Sequence, residues 1–386
     1  MITIFTPIFN RAYIIENLYN SLLCQTCFDF EWLIVDDGSD DGIEELVRKW
    51  QCNTQKFAIR FYRQKNGGKH RAINYGVKLA RYDAFFIVDS DDYLENDAVE
   101  LIVRNWDDIR SNHEIAGMAG LKKYPNGEII GGACSFDGFV DATNLERGIY
   151  GLKGDKAEIY KTEILRRFPF PEYENENFVT EAVVWDRIAC EGYKVRWVNH
   201  SFMICNYLND GLTAKGKQIF VDNPIGWAYY IRQSRKYGIL KNKDFLRQCY
   251  SYYEYEHLKF NDYELEELLG LSGEERLLIA EQYNGFLRIL FDLCLDRKVC
   301  IYAYGQWGKR LRRYFDCLDI KVEYVIDQKY STIDEMKAYS IEMDLPHTDI
   351  VFVALKEERG EVKETIRKKM PEAVVIMCRD IKPELW

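Results

Sequence analysis

Short apolar runs alternate with amphipathic stretches from the first residue onward. Residues 2–6 form an apolar run ending at Pro7, which predicts a strand, and residues 14–25 read as a helix. A second strand over 31–35 runs into Asp36-Asp37-Gly38-Ser39-Asp40, with a helix at 42–50 and a third strand at 57–62. Residues 69–80 carry Ala72, Ile73, Tyr75, Gly76, Leu79 and Ala80 on one side, the spacing of a helix. A fourth strand over 84–88 runs into Asp89-Ser90-Asp91-Asp92. Alternating strands and helices predict a mainly parallel α/β sheet covered on both faces. Ligands of such sheets bind beyond the carboxyl ends of the strands. Three of these four strands end in Thr6, Asp36-Asp37 and Asp89 to Asp92, so polar chemistry collects where a cleft is expected.

The order then changes. Pro125-Asn126-Gly127 is a turn signal between two short strand candidates. A helix end at 163–168, a helix over 179–190 and a strand over 194–199 follow, then a Tyr-rich helical region over 223–295. From residue 298 strand and helix alternate again: strands at 299–303, 322–326, 349–354 and 373–377, a helix at 306–318 and another between the last two strands. The expected domains are 1–220, a helical linker region over 221–296, and a small Rossmann-like α/β domain over 297–386. No tandem repeat or low-complexity segment interrupts them.

Composition narrows the function. Lys and Arg number 52 against 62 Asp and Glu, a net charge of −10, whereas a protein living by duplex nucleic-acid binding is usually basic. No nucleic-acid partner is expected. Eleven cysteines are scattered, and the one close pair, Cys24 and Cys27, has no second pair to complete a zinc site. Buried, reduced thiols and a reducing cytoplasm are the expectation. The start, Met1-Ile2-Thr3-Ile4-Phe5-Thr6, lacks the basic segment and apolar core of a secretory leader, and no apolar run reaches the roughly 18 residues of a spanning helix. A soluble or peripheral protein is expected, cytoplasmic or on the inner face of a membrane.

Three motifs carry candidate chemistry. In Asp89-Ser90-Asp91-Asp92 three carboxylates within four residues repel one another, and a hard divalent cation such as Mg²⁺ or Mn²⁺ would offset that. The alternative is a helix cap ahead of Tyr93-Leu94-Glu95. Asp36-Asp37-Gly38-Ser39 could accept hydrogen bonds from a base imide or ribose hydroxyl, or could form a turn before Ile43. In Asn66-Gly67-Gly68-Lys69-His70-Arg71 the glycines allow close backbone approach, and Lys69 and Arg71 open a helix, where anions bind. Together these suggest a nucleoside diphosphate bound through a metal.

The first hundred residues resemble family 2 glycosyltransferases of the GT-A (nucleotide-diphospho-sugar transferase) fold. The matching residues are Thr6-Pro7-Ile8-Phe9-Asn10-Arg11, Ser21-Leu22-Leu23-Cys24-Gln25, Val35 through Gly42, Asn66-Gly67-Gly68 through Arg71, Asn74, Gly76, and Asp89-Ser90-Asp91-Asp92. The resemblance implies nucleotide contacts at Thr6, Pro7, Asn10, Asp37, Asn66, Lys69, Arg71, Asp89 and Ser90. It makes Asp89 to Asp92 a DXD-type motif, with Asp91 the first metal ligand and Asp89 and Asp92 beside it. It implies an inverting transferase that moves a sugar from a nucleotide sugar, UDP-linked by resemblance, to an acceptor hydroxyl on a glycan or lipid-linked glycan. Inverting members use a carboxylate base that opens a helix, with an aromatic four residues later. Glu181, with Trp185 at that spacing, aligns with it, although Thr180 replaces the family's acidic partner and Glu replaces Asp. Asp186 is the second candidate, and a solvated carboxylate in a first helical turn is the alternative for Glu181.

Further features remain open. Residues 207–213 could be a lid over the donor or an ordinary turn, and His200 could be an accessory ligand or structural. Residues 227–260 hold ten aromatics and a local charge of +4, which suits either contact with an anionic membrane or a packed helical layer. Ala303-Tyr304-Gly305-Gln306-Trp307-Gly308, with Asp327 at the end of the next strand, resembles a dinucleotide fingerprint. Ala303 in place of its first glycine, and bulky Trp307, favour a docking or oligomerisation role instead. The rival function classes are a catalytically silent nucleotide-sugar or glycan-binding module and a nucleotidyltransferase.

Overall fold

The computed structural model describes residues 1–206, 208, 211–328, 332–333, 336–355 and 360–381. The chain divides into two compact units, Met1–Leu271 and Ser272–Trp386. The expected helical linker is therefore shared out: helices up to residue 269 belong to the first unit, and the helix from Gly273 belongs to the second. The division falls at a capping box. Ser272 Oγ accepts from the Glu275 amide, and Glu275 returns a bond to the Ser272 amide, which satisfies two donors that helix geometry leaves unpaired.

The first unit is built on a nine-stranded sheet, β1 (Ile2–Ile8), β2 (Phe30–Asp36), β3 (Ala58–Arg63), β4 (Ala84–Ile87), β5 (Tyr93–Leu94), β6 (Ile115–Lys123), β7 (Phe139–Ala142), β8 (Lys156–Lys161) and β9 (Lys194–Ile204). Its order is β3-β2-β1-β4-β8-β6-β9-β5, with β7 also paired to β9. The first four strands are mutually parallel, as the alternation predicts; β8 then runs antiparallel to both β4 and β6. The helices are α1 (Glu16–Leu23), α2 (Ile43–Asn53), α3 (Lys69–Leu79), α4 (Ala98–Ser111), α5 (Thr162–Arg167), α6 (Ala182–Cys190), α7 (Gln218–Val221), α8 (Pro224–Lys236), α9 (Asn242–Glu256) and α10 (Asp262–Leu269).

Every residue of β1 and β2 is buried, because parallel strands covered on both faces have no solvent side. One core cluster includes Trp32, Phe86, Ile102 and Phe202, and a second includes Phe5, Phe85, Trp185 and Trp197. Each such side chain contributes about 1.5–3 kcal/mol on burial. The buried Glu31 on β2 is held by Arg60 Nη1 at 3.0 Å and by the Thr3 hydroxyl at 2.9 Å. Helix α3 crosses β1 closely because Gly76 has no side chain: a Cβ there would lie 2.2 Å from the Phe5 ring.

None of the ten aromatics between Trp227 and Phe260 is exposed. Trp227 meets Tyr252 and Tyr255, and Phe245, Tyr250 and Tyr252 are buried, so the aromatic excess packs the helical layer. No described helix is long and apolar enough to cross a membrane.

The second unit carries α11 (Gly273–Cys294), β10 (Val299–Tyr302), α12 (Gln306–Cys317), β11 (Val322–Ile326), β12 (Thr332–Ile333), β13 (Met336–Tyr339), β14 (Ile350–Val353), α13 (Gly360–Lys369), β15 (Val374–Met377) and α14 (Cys378–Ile381). Its sheet order is β12-β13-β11-β10-β14-β15, parallel except for β12.

Candidate functional site

The carboxyl ends of β1, β2 and β4 carry the expected motifs into one cleft, and local hydrogen bonds fix each. The β1 end turns at Asn10, which adopts a positive φ of 52°. Asn10 Oδ1 accepts from the Asp40 amide at 3.0 Å, and the Asn10 amide donates to Ser39 Oγ at 2.9 Å. The β1 and β2 loops are thereby tied together. Thr6 is fully buried and its hydroxyl accepts from the Trp32 indole at 3.0 Å, so its side chain serves the core and its backbone faces the remaining options. Pro7 is likewise buried within β1.

Asp37 is nearly buried and organises the glycine motif. One carboxylate oxygen accepts from Gln64 Nε2 (2.7 Å) and the Gly67 amide (2.9 Å); the other accepts from the Gly68 amide (2.7 Å). Asn66 donates to the Asp37 carbonyl at 3.0 Å. Burial raises the Asp37 pKa, and these donors only partly counter it. Gly68 sits at φ 94°, ψ 160°, with the Asn177 carbonyl pressed against it. Lys69 and Arg71 follow at the start of α3. Arg71 donates to the Tyr173 carbonyl, which turns it toward the 168–181 segment.

Asp89 to Asp92 form a turn closed by the Asp92 amide on the Asp89 carbonyl (3.1 Å), with Ser90 buried inside it. The three carboxylates have different surroundings. Asp92 is buried, receives the Cys205 thiol at 3.1 Å and lies 3.8 Å from Lys122 Nζ. Burial pushes its pKa up to about 6 against the pull of Lys122. Asp89 faces Lys69, which holds its pKa below the usual range although burial acts the other way. Asp91 is half-buried, and both burial and the Asp89 charge raise its pKa. Among the described residues no group of three or more His, Cys, Asp or Glu side chains is arranged to hold a metal. Asp89 and Asp91 are the pair whose mutual repulsion a cation would relieve; Asp92 is committed to Lys122 and Cys205.

Lys69 joins this turn to the far side of the cleft. Its Nζ lies 2.7 Å from Asp89 Oδ1 and 2.8 Å from Glu181 Oε1. Burial opposes its charge, but Asp89 and Glu181 hold its pKa well above the ordinary ammonium value. Glu181 immediately precedes α6, with Trp185 stacked on Tyr160 at 4.4 Å. The structure separates the two base candidates. Glu181 is 38% exposed at Lys69, whereas Asp186 is buried and accepts from Asn144 at 2.9 Å.

The segment that delivers Glu181 is fastened on two sides. Asn74 exchanges hydrogen bonds with Phe170, while Asn223 Oδ1 accepts from the Asn177 and Phe178 amides. Glu176 accepts from the Ile225 and Gly226 amides at the start of α8.

Sequence reasoning missed Lys122 and Glu158. Glu158, on β8, is driven to a pKa of about 7 by burial, with Lys122 pulling the other way and Glu181 adding to the rise. Only the tertiary pairing of β8 with β6 brings it there. His200 pairs with exposed Asp97 at 3.3 Å. Tyr207, Asn209 and Asp210 of the expected lid lie outside the described residues. All eleven cysteines are free, as expected, but Cys24, Cys52 and Cys317 are exposed rather than buried.

His70 is 2% exposed, and neither ring nitrogen has a hydrogen-bond partner. Burial, then the Arg71 charge, lower its pKa to about 4, with Glu172 opposing. The folded state therefore binds fewer protons than the unfolded chain between the ordinary value of 6.5 and about 4, so stability falls as pH drops through that window. His70→Leu should flatten the dependence of urea unfolding on pH there by on the order of 3 kcal/mol. An unchanged pH slope would remove His70 as its source.

Residues 3–120 match the profile of Glycosyl transferase family 2. The match spans less than a third of the chain. Within it lie the β1, β2 and β4 strand ends, the Gly67-Gly68 motif and the aspartate turn. Among curated relatives, the domain is 37% identical over 106 residues to a chondroitin synthase of Pasteurella multocida (strain Pm70), covering 28% of this chain and 11% of that protein. A chondroitin synthase of Escherichia coli is 37% identical over 118 residues, covering 30% and 16%. A poly-beta-1,6-N-acetyl-D-glucosamine synthase of Staphylococcus aureus (strain COL) is 25% identical over 210 residues, covering 51% and 47%. The aligned part is thus a small fraction of the two chondroitin synthases and about half of the third protein. Among solved structures, S. aureus TarS 1-349 aligns over 86% of this chain and 94% of that one at 17% identity, with a TM-score of 0.48. The mixed α/β fold with a large central sheet is the expected one.

In the second unit, Ala303 adopts φ 67° at the β10–α12 turn, and the Tyr304 amide donates to Asp327 at 2.8 Å. A cavity of about 240 Å³ beside them is lined by Tyr302, Ile326, Asp327, Ile341, Leu355 and Val362, among others.

Proposed function

We propose that the first unit is an inverting sugar transferase. It takes a nucleotide-diphosphate sugar, of the UDP class, and transfers the sugar to a hydroxyl of a growing surface glycan or glycoconjugate. The observation that carries this reading is the placement of Asp89 and Glu181 on one ammonium, Lys69, in a cleft at the strand ends. A donor-side acidic turn and an acceptor-side carboxylate then lie within one reaction span. The name of the S. aureus relative, a poly-beta-1,6-N-acetyl-D-glucosamine synthase, supports a sugar-nucleotide donor.

Glu181 accepts the proton of the acceptor hydroxyl as its oxygen attacks the anomeric carbon. The bond from that carbon to the diphosphate oxygen breaks on the opposite side, which inverts the centre. The Asp37-held glycine loop fixes the start of α3, whose N-terminal end favours an anionic ligand. Asp91 and Asp89 would hold the divalent cation, Mn²⁺ or Mg²⁺. When bound, that ion stabilises the negative charge of the leaving diphosphate.

The test is binding and hydrolysis of a panel of nucleotide sugars with Mn²⁺ or Mg²⁺, comparing wild type with Asp91→Ala. One donor should turn over only with metal present and Asp91 intact. If no nucleotide sugar binds under any metal condition, the cleft is a silent glycan-binding module instead.

A further inference from the structure

We propose that Lys69 is a positioning residue for proton transfer, acting through Glu181. This rests on the reading of Glu181 as the base. Lys69 opens α3 directly after Gly68, whose amide is anchored on Asp37, so the root of its side chain is fixed. Its ammonium spans from Asp89 to Glu181 with distances of 2.7 and 2.8 Å. On the Glu181 carboxylate it approaches Oε1. The Glu181 side chain is still 38% exposed.

The charge pattern explains why a cation is needed at this point. Asp89 and Asp91 act on Asp92 on one side and Glu181 acts on Glu158 on the other, and Lys122 is committed to Asp92. Without Lys69, Asp89 and Glu181 would be two carboxylates sharing one space, and their repulsion would turn Glu181 outward. A bound diphosphate adds further negative charge on the Asp89 side. The ammonium therefore holds Glu181 beside the donor site. Misplacing a reacting group by about 1 Å costs on the order of 10²-fold in rate.

A double-mutant cycle tests this. The probe is the UDP-sugar selected in the panel above, UDP-N-acetylglucosamine first, hydrolysed with water as acceptor; donor Kd is measured by calorimetry. Lys69→Met should lower kcat by about 10²-fold while changing donor Kd only a few-fold. Lys69→Arg should recover much of the loss. In the Glu181→Gln background, Lys69→Met should cost almost nothing further. If Lys69→Met costs the same factor in both backgrounds, or its loss appears in donor Kd, Lys69 is a diphosphate ligand and the proposal fails while the base reading survives. If Glu181→Gln alone hydrolyses at the wild-type rate, the base reading falls and the proposal with it. Should Lys69→Met melt below the assay temperature, Lys69→Gln replaces it in the cycle.

Discussion

Glu181→Gln lowers the rate of sugar transfer by about 10²–10⁴-fold while donor Kd stays within a few-fold of wild type. The amide keeps the size of the side chain and can still accept from Lys69, so the cleft stays formed, but it cannot take a proton. The loss belongs in kcat because proton removal occurs as the acceptor oxygen bonds to carbon. Steady-state kinetics with calorimetric donor binding checks this. Asp186→Asn is the control: that carboxylate is buried against Asn144, and its replacement should change activity far less. Equal damage from the two variants, or a loss confined to donor Kd, would take the base role away from Glu181.

Gly68→Ala is expected to disable donor binding and to destabilise the first unit. At φ 94° and ψ 160° the backbone lies in a region open essentially to glycine alone. A Cβ would also meet the Asn177 carbonyl oxygen at 1.8 Å, a backbone atom that cannot swing aside like a side chain. Strain of about 1–3 kcal/mol and a clash of similar size together give roughly 2–6 kcal/mol. Relief requires the loop to leave Asp37 or the Asn177 segment to leave α3, and either movement displaces Lys69 or Glu181. Chemical denaturation and donor calorimetry should both report it. A variant with wild-type stability and affinity would show that the Gly68–Asn177 approach is not required. Gly127→Ala is the comparison, because Gly127 also has a positive φ but open space around it.

The strands and helices of residues 1–90 were legible because each has a length and period of its own. The apolar run of β1, the amphipathic α3 and the acidic strand ends all stand near the expected places. The run continued through Pro7 to Ile8, since β2 pairs with β1 as far as Ile8, although β4 stops at Phe5. Less legible was everything set by long-range pairing. β7 and β8 are short and carry charged residues, and β8 is held by β4 and β6 rather than by its own pattern. For the same reason the different surroundings of the three aspartates were not legible. Three neighbouring aspartates look alike in sequence, but Lys122 and Cys205, far along the chain, claim Asp92, and Lys69 claims Asp89. The domain division near residue 271 was hidden because helices lie on both sides of it.

The double fastening of the segment before Glu181 bears on how the protein can be shortened. One set of fasteners comes from α3, on the donor side; the other, Asn223 with the amides of Ile225 and Gly226, comes from the start of α8. A fragment cut at residue 220 would keep the whole sheet and every nucleotide-side motif, yet it would leave the Glu176 carboxylate and the Asn177 and Phe178 amides without their clasps. Such a fragment would bind like the intact protein and react like a crippled one. The minimal working piece is therefore set by the anchorage of its base, and it runs to the natural seam at Leu271.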